Sequence, residues 1–282
     1  MDKLPLVKLN INTENCNIHP KYYSCDIILG GGGFRSYYHL GVFKIIKDLI
    51  SNNKIQPRHL VGTSSGAITA VYYACDISDD LILQTYLLIK NQMDQGLSLH
   101  DAAIRTLKQI LPINAHVLCS GKVRIYVSVM GWTGFYPKYI DHFDTYDDLF
   151  AAISASINIP WFTSSSWTGT KIKGVRCYDG IFTSIVPSLK SHDIAQLEIS
   201  THRVLYPKRH TLLPGDTHIY LLGIRGLIEA HEFFTGQTKS NKIIRWIEPE
   251  SNSKFEVKSK ILKYRLLQII IPGLMFVCSI KY

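Results

Sequence analysis

At 282 residues, with 46% apolar and 19% charged side chains, the chain has the length and composition of one large folded domain, which excludes a disordered or fibrous protein. Its formal net charge is +9; a net +5 of that lies from Ser251 onward, where Lys254, Lys258, Lys260, Lys263, Lys281 and Arg265 are opposed by Glu256 alone. Such a stretch suits an anionic partner, a membrane surface or a nucleic acid, or else is a solvated basic end. The six cysteines (16, 25, 75, 119, 177 and 278) show no CxxC pair and no regular spacing, so neither a zinc site nor a disulfide framework is expected. MDKLPLVKLN lacks the apolar core of a leader peptide, so the thiols read as reduced and the protein as cytoplasmic, not secreted.

Residues 1–23 are polar and mixed and read as an irregular lead-in. The apolar run 26–29 reads as a strand. It ends in four glycines, 30–33, and feeds a helix over 36–50, where Leu40, Phe43, Ile46 and Ile50 recur at three- and four-residue spacing. Leu60-Val61 is a short strand that enters Gly62-Thr63-Ser64-Ser65-Gly66 and then a small-residue helix over 67–74. Further helices are expected at 79–93 and 101–110, stopped by Gly96 and Pro112. Val123, Ile125, Val127 and Val129 alternate strictly and make 122–130 the clearest strand. Thr145 and Asp148 have the form of a capping signal for the helix that follows, which Asn158-Ile159-Pro160-Trp161 ends. A strand at 175–178 leads to Asp179-Gly180. The apolar run 218–224 reads as a late buried strand and 227–234 as a helix.

Strands alternating with helices predict an α/β fold: a mostly parallel central sheet flanked by helices on both faces, in a domain over 24–236. Residues 237–282 form a basic, apolar C-terminal segment. Within it, 266–280 is about 15 residues long against the roughly 20 of a spanning helix, and Pro272-Gly273 interrupts it. Preceded by Lys258, Lys260, Lys263 and Arg265, it reads as an interfacial anchor or as a buried terminal element.

Two segments carry chemistry. GxSxG sets small residues on either side of Ser64 because a nucleophile on a strand-to-helix turn takes strained backbone angles while neighbouring chains pass close to it. The hydroxyl is then lifted above the sheet, beside the positive end of the next helix. An ordinary βα turn that happens to hold a serine has the same letters. The loop Gly31-Gly32-Gly33-Phe34-Arg35 bares backbone N–H groups at a helix start. It lacks the GK[ST] ending of a nucleotide loop, and a dinucleotide fingerprint needs glycine where Ser36 stands and an acid about 20 residues on, where 54–60 has none. Beside a candidate nucleophile, the remaining use is an oxyanion hole, worth roughly 3 kcal/mol per donor. A Ser-His-Asp triad would draw on His192, His202, His210, His218 or His231, none of which stands in a motif. His231-Glu232 opens like the zinc pattern HExxH, but Thr235 takes the place of the second histidine, so no metal is expected.

Taken together the motifs resemble the patatin-like phospholipases. Gly31-Gly32-Gly33-Phe34-Arg35-Ser36 with Gly41 is similar to that family's loop GGGx[RK]Gx4G, Gly62 to Gly66 to its GxSxG, and Asp179-Gly180-Ile181 to its DG[GA]. Phe34 and Tyr38-His39-Leu40-Gly41 look like the adiponutrin and triglyceride-lipase branch. Ala155-Ser156-Ile157-Asn158-Ile159-Pro160 is similar to the segment ahead of the family's dyad aspartate, and Pro187 stands where the family has a proline. The resemblance covers roughly residues 24–190. It implies a three-layer sandwich, Ser64 as nucleophile on the turn made by Gly62, Thr63, Ser65 and Gly66, and Asp179 as the base of a Ser–Asp dyad without histidine. It also implies Gly31, Gly32, Gly33, Phe34 and Arg35 as the oxyanion loop.

The implied reaction is hydrolysis of a phospholipid or acylglycerol ester through an acyl-enzyme, with no cofactor or metal, at a membrane or lipid-droplet surface. Nucleic acid is not expected as a partner. Three positions depart from the pattern. Ser36 replaces the last loop glycine and is expected to serve as a helix N-cap; Ile185 replaces an asparagine; Ile181 replaces Gly or Ala, where a β-branched residue would be strained by a positive φ. Beside the lipid acyl hydrolase stand two alternatives, a triad esterase and a lipid-binding relative impaired at Ile181.

Overall fold

The structure is a computed structural model and describes residues 13–16, 18–185, 194–204, 216–238 and 242–248. Helices α1 (Tyr38–Ser51) and α2 (Ser65–Ala74) follow strands β1 (Ser24–Leu29) and β2 (Gln56–Thr63). Three more helices, α3 (Asp79–Asp94), α4 (Leu99–Ile110) and α5 (Ala115–Cys119), lead to β3 (Val123–Gly131) and its hairpin partner β4 (Gly134–Ile140). Then come α6 (Tyr146–Ser156), β5 (Thr170–Ile172), β6 (Val175–Asp179), β7 (Ala195–Ile199), α7 (Asp216–Phe234) and β8 (Ile244–Ile247).

The sheet runs β5-β6-β3-β2-β1-β7-β8, with β4 also on β3. Its middle, β3-β2-β1-β7, is parallel, and β4, β5, β6 and β8 pair antiparallel at the margins. From Cys25 to Leu29 and from Ala195 to Ile199 every side chain is buried. Successive strand residues point to opposite faces, so both faces of the centre are covered, as a parallel sheet requires. This is the expected three-layer α/β arrangement. Asp26 is wholly buried in β1 and tolerates that position because His59, its register neighbour on β2, approaches at 2.8 Å. Helices α1 and α7 pack backbone to backbone: a Cβ on Gly41 would strike main-chain atoms of Gly223 and Leu227, and one on Gly226 would strike those of Tyr38.

The strands expected at 26–29, 60–61, 122–130 and 175–178 and the helices at 79–93 and 101–110 are present, with ends shifted by a few residues. The capping box of Thr145 and Asp148 opens α6. One assignment is corrected. The run 218–224 is not a strand but the first half of α7. Ile219, Leu222, Ala230 and Phe234 keep a helical spacing on the buried side, but Leu221, Ile224 and Ile228 stand exposed between them and mask that period. Ser36 also differs from expectation. It lies inside a 3₁₀ turn, Gly33–Tyr37, and α1 starts two residues later, so Ser36 is no N-cap.

Strand β7 alternates apolar and polar residues, but over only the five positions Ala195 to Ile199. Gln196 and Glu198 are buried within it; Glu198 accepts from the hydroxyl of Ser200, and β8 alongside brings Arg245 to both carboxylate oxygens at 3.1 and 2.7 Å. The last strand, β8, thus draws residues beyond 236 into the sheet. The five described cysteines are free and buried. Among the described residues no helix is long and apolar enough to cross a membrane. Pro187, His192, His210, Cys278 and the whole of 251–282, with its apolar run 266–280, lie outside the described residues.

Candidate active site

Strand β3 brings the site together. Gly62 and Ile140 are both paired with Ile125, and Asp179 and Lys138 are both paired with Val127. Each β3 residue has two flanks, so β2 and β6 occupy the same flank, one beyond the other. Thr63, the last residue of β2, sits opposite Tyr126; Asp179, the last of β6, sits opposite Val127. Adjacent residues of one strand therefore place Ser64 and Asp179, 115 positions apart in the chain, side by side.

Ser64 sits between β2 and α2 with φ 53° and ψ −131°. That is a strained position for any residue with a Cβ. The turn that enforces it has no room: a Cβ on Gly62 would meet the backbone of Gly66 and Ala67, and one on Gly66 the carbonyl of Leu29. The Ser64 N–H donates to Ser156 Oγ at 2.9 Å, and Ser156 donates onward to the carbonyl of Tyr126 at 2.8 Å. Ser156 is completely buried at the end of α6. Its hydroxyl bolts the turn to β3.

Asp179 is fully buried. Its Oδ1 accepts from the N–H of Ile181 at 2.9 Å, and its own N–H donates to the carbonyl of Asn158 at 3.0 Å. Oδ2 has no hydrogen-bond partner among the described residues. Burial pushes the carboxyl up to about 7, while the Ile181 amide and the nearby Ser64 hydroxyl draw it partly back. The Ser64 hydroxyl thus stands close enough to act on the carboxyl without completing a hydrogen bond to Oδ2, an arrangement open to tightening when substrate arrives. Ile181 does not take a positive φ. It lies in the 3₁₀ turn Gly180–Phe182, so the strain expected of a β-branched residue there does not arise.

The glycine loop crosses directly over the serine: a Cβ on Gly31 would lie 2.9 Å from that of Ser64. Its amides are unequal. Gly31 donates to the carbonyl of Ile185 at 3.1 Å and Gly32 to the hydroxyl of Ser65 at 3.1 Å. Gly33 has φ 58° and opens a 3₁₀ turn, and Ser65 opens α2, so both amides lack an intrahelical acceptor. Arg35 reaches the carbonyl of His202 at 3.1 Å, which makes its side chain a tie between the loop and the turn after β7. From the same turn Thr201 Oγ donates to the carbonyls of Gly30 and Gly31 at 3.0 and 3.2 Å.

Ser64, Asp179 and the loop line a cavity of about 290 Å³. Its wall is apolar and reaches inward between α2, α3 and α4 through Ile68, Tyr72, Ile82 and Ile89. Phe162, Ile181 and Ile185, all exposed by more than a third, line it toward solvent. Such a slot has the shape and polarity to suit an apolar chain. Among the triad candidates, His202 lines the cavity and burial lowers its pKa, with Arg203 and Arg35 acting the same way and Glu198 against them. Among the described residues no histidine is hydrogen-bonded to Ser64 or Asp179. No group of metal-ligating side chains is present among the described residues.

Thr201 and the carbonyl of Ile185 were not legible as parts of the site, because each is brought to the loop by a fold contact and neither stands in a motif; Ser65 was expected in the nucleophile turn, but not its hydroxyl's bond to the Gly32 amide. Ser156 had a signal, its place in the segment 155–160. Ser156→Ala is expected to lower kcat by about tenfold or more with KM nearly unchanged, because it loosens the turn without touching substrate. A steady-state kcat and KM comparison on a soluble ester checks this; a shift confined to KM would refute it.

The family model described as patatin-like phospholipase matches residues 27–124, a stretch that includes the loop and Ser64 and ends before Asp179. The human patatin-like phospholipase domain-containing protein 5 is 26% identical over 170 residues, 57% of this chain and 39% of that protein. A mouse protein, 1-acylglycerol-3-phosphate O-acyltransferase Pnpla3, is 27% identical over 172 residues, 58% of this chain and 41% of its own length. The chain spans about two fifths of the length of these curated relatives.

Proposed function

We propose that this chain, a member of the patatin-like phospholipase family through the stretch holding its glycine loop and nucleophile turn, is a lipid acyl hydrolase working by a Ser64–Asp179 dyad. One observation carries the reading: the buried Asp179 Oδ2, without a partner, beside a strained Ser64 at an apolar slot. In the first step Asp179 takes the Ser64 proton as Oγ attacks the ester carbonyl. The amides of Gly33 and Ser65 are the donors best placed for the oxyanion. Collapse breaks the bond to the leaving alcohol, which receives the proton from Asp179 and leaves an acyl-enzyme. Water, deprotonated by Asp179, then attacks the acyl carbon; collapse breaks the bond to Ser64 Oγ, which takes the proton back from Asp179 as the carboxylic acid leaves. The substrate class is a carboxylic ester of phospholipid or acylglycerol, met by a peripherally bound enzyme at a membrane or lipid-droplet surface.

A fluorophosphonate serine probe tests the nucleophile. Labelling mapped to Ser64 is the expected result, and an unlabelled Ser64 would favour the impaired, lipid-binding alternative. A screen of phospholipid, triacylglycerol and short-chain esters with Ser64→Ala as control then assigns the substrate. One of the matched relatives is named an acyltransferase, which favours a second reading, in which a lysophospholipid hydroxyl replaces water as acceptor. Adding such an acceptor during turnover and measuring diacyl product distinguishes the two.

A further inference from the structure

We propose that the end of the sheet around the cavity mouth is a docking surface for an anionic phospholipid membrane, seated by Trp132, Trp161 and Trp167 and by Lys171, Lys173 and Arg176. This rests on the lipid-hydrolase reading for its purpose, though not for its geometry. Strand β2 stops at Thr63, opposite Tyr126, but β3 continues to Gly131. Five further residues at about 3.3 Å each carry the β3–β4 hairpin roughly 16 Å beyond the level of the nucleophile turn. Trp132, at its tip, is fully exposed. Cys177 pairs antiparallel with Val129, so the turn joining β5 and β6, with Lys173 and Gly174, projects at the same end of the sheet.

A chain of contacts ties this end to the mouth. Phe135, paired with Met130 beside the hairpin tip, stacks on Phe182 at 4.8 Å and meets Tyr178 edge-on at 5.3 Å. Phe182 follows Ile181, which lines the cavity. On the other side of Tyr178 runs Gly169, so close that a Cβ there would strike the ring, and two residues before it stands Trp167, two-thirds exposed. Trp161, equally exposed, precedes the mouth residue Phe162.

The conformation of Trp161 is the most telling detail. Its φ of 57° is an outlier for so bulky a residue. The strain is imposed from both ends of the turn. Phe162 and Thr163 donate to the carbonyl of Ile159 at 3.1 and 3.0 Å, Thr163 Oγ donates to the carbonyl of Ile157 at 2.7 Å, and its own carbonyl receives the His100 N–H at 2.7 Å. A loop held this firmly in order to point an indole at solvent suits an interface where an aromatic ring sits at headgroup depth.

The charges agree. Lys171 and Arg176 face each other across β5 and β6, and all three cations are exposed. Lys173 has one acidic neighbour, Asp144, at 3.5 Å on the surface. Between Asp148 and Ile185 the one carboxylate is the buried Asp179. Exposed indoles among cations that outnumber their acidic neighbours match the two attractions of a membrane interface, apolar burial and anionic headgroups. Docked there, the slot would open onto the acyl chains.

Three of the four tryptophans lie on this surface, so intrinsic emission reports on it directly, whatever the C-terminal segment contributes. The test uses the full chain carrying Ser64→Ala, so that lipid is not consumed, with vesicles of phosphatidylcholine alone or mixed with phosphatidylserine. Mixed vesicles are expected to shift tryptophan emission to shorter wavelength. Joint replacement Trp132→Ala, Trp161→Ala and Trp167→Ala lowers partition by about tenfold or more. Joint replacement Lys171→Gln, Lys173→Gln and Arg176→Gln lowers it by roughly fivefold per cation, on the mixed vesicles only. Trp132→Ala alone, at an exposed tip, guards against misfolding and gives a partial loss. In the Ser64 background the same variants hydrolyse a water-soluble short-chain ester at the parental rate. An unshifted emission, or an unchanged partition of the triple tryptophan variant, overturns the surface. Lost binding in a chain that hydrolyses no ester retains the surface and overturns the hydrolase reading instead.

Discussion

Ser64→Ala and Asp179→Asn each lower ester hydrolysis by at least about 10³-fold, since removing either member of a nucleophile–base pair removes the step they perform together. Retained hydrolysis in either variant would refute the dyad. The two variants part company in stability. The Asp179 carboxyl sits at about 7 in the fold, against 3.8 ordinarily, because burial penalises the charged form more than the Ile181 amide and Ser64 hydroxyl favour it. A carboxyl raised in this way binds its proton more tightly in the native state than in the unfolded one. Stability from this group is therefore fully present below about pH 4 and lost as pH rises through about 7. Asp179→Asn removes that loss. It should come close to the parent at pH 4 and exceed it at pH 8 by up to about 4 kcal/mol, measured by urea unfolding. Activity follows the same group with the opposite sign, since the base works only when ionised, and kcat/KM on a soluble ester should rise with pH through an apparent pKa near 7. An inactive Asp179→Asn protein that is less stable than the parent at pH 8 would refute the account of a buried carboxylate held ready at a cost to the fold.

Gly66→Ala carries the second large effect, on folding. The added Cβ would fall inside the contact distance of the Leu29 carbonyl and approach that of Gly30 at 3.0 Å. Leu29 ends β1 and Gly66 lies in the first turn of α2, so neither backbone can yield without moving β1 or α2. The expected loss is about 3 kcal/mol or more, visible as a lower denaturation midpoint or as insoluble protein. Gly174→Ala makes the comparison. It has φ +83° with open space around it, so the replacement meets only the conformational penalty, about 1 kcal/mol. Equal midpoints for the two variants would mean that β1 and the nucleophile turn are not in backbone contact.

What the chain alone settled is local in origin. Alternation in β3, three- and four-residue spacing in α1, and the capping pair before α6 are properties of neighbours, and they survive folding unchanged. So is the nucleophile turn: the glycines at 62 and 66 are in the letters because the turn has no space for anything else. The tertiary structure decided the rest. Strand β7 buries Glu198, whose carboxylate takes the guanidinium of the distant Arg245 as well as the neighbouring Ser200 hydroxyl, and no window of sequence shows the Arg245 pairing. The first half of α7 reads as a strand because its exposed leucine and isoleucines blur the helical period. Which loop amides remain for an oxyanion depends on Ile185 and Ser65 having occupied the others. The doubt over Ile181 was conformational and vanished with its ordinary backbone angle. Above all, the character of Asp179 is not a property of aspartate in a DG pair. It arises because β3 exchanges β2 for β6 at Val127, which buries the carboxyl beside Ser64 and leaves one oxygen without a partner. Sequence names the residue types that a turn or a helix can accept; burial, which sets the charge and reactivity of those residues, exists only once distant strands have met.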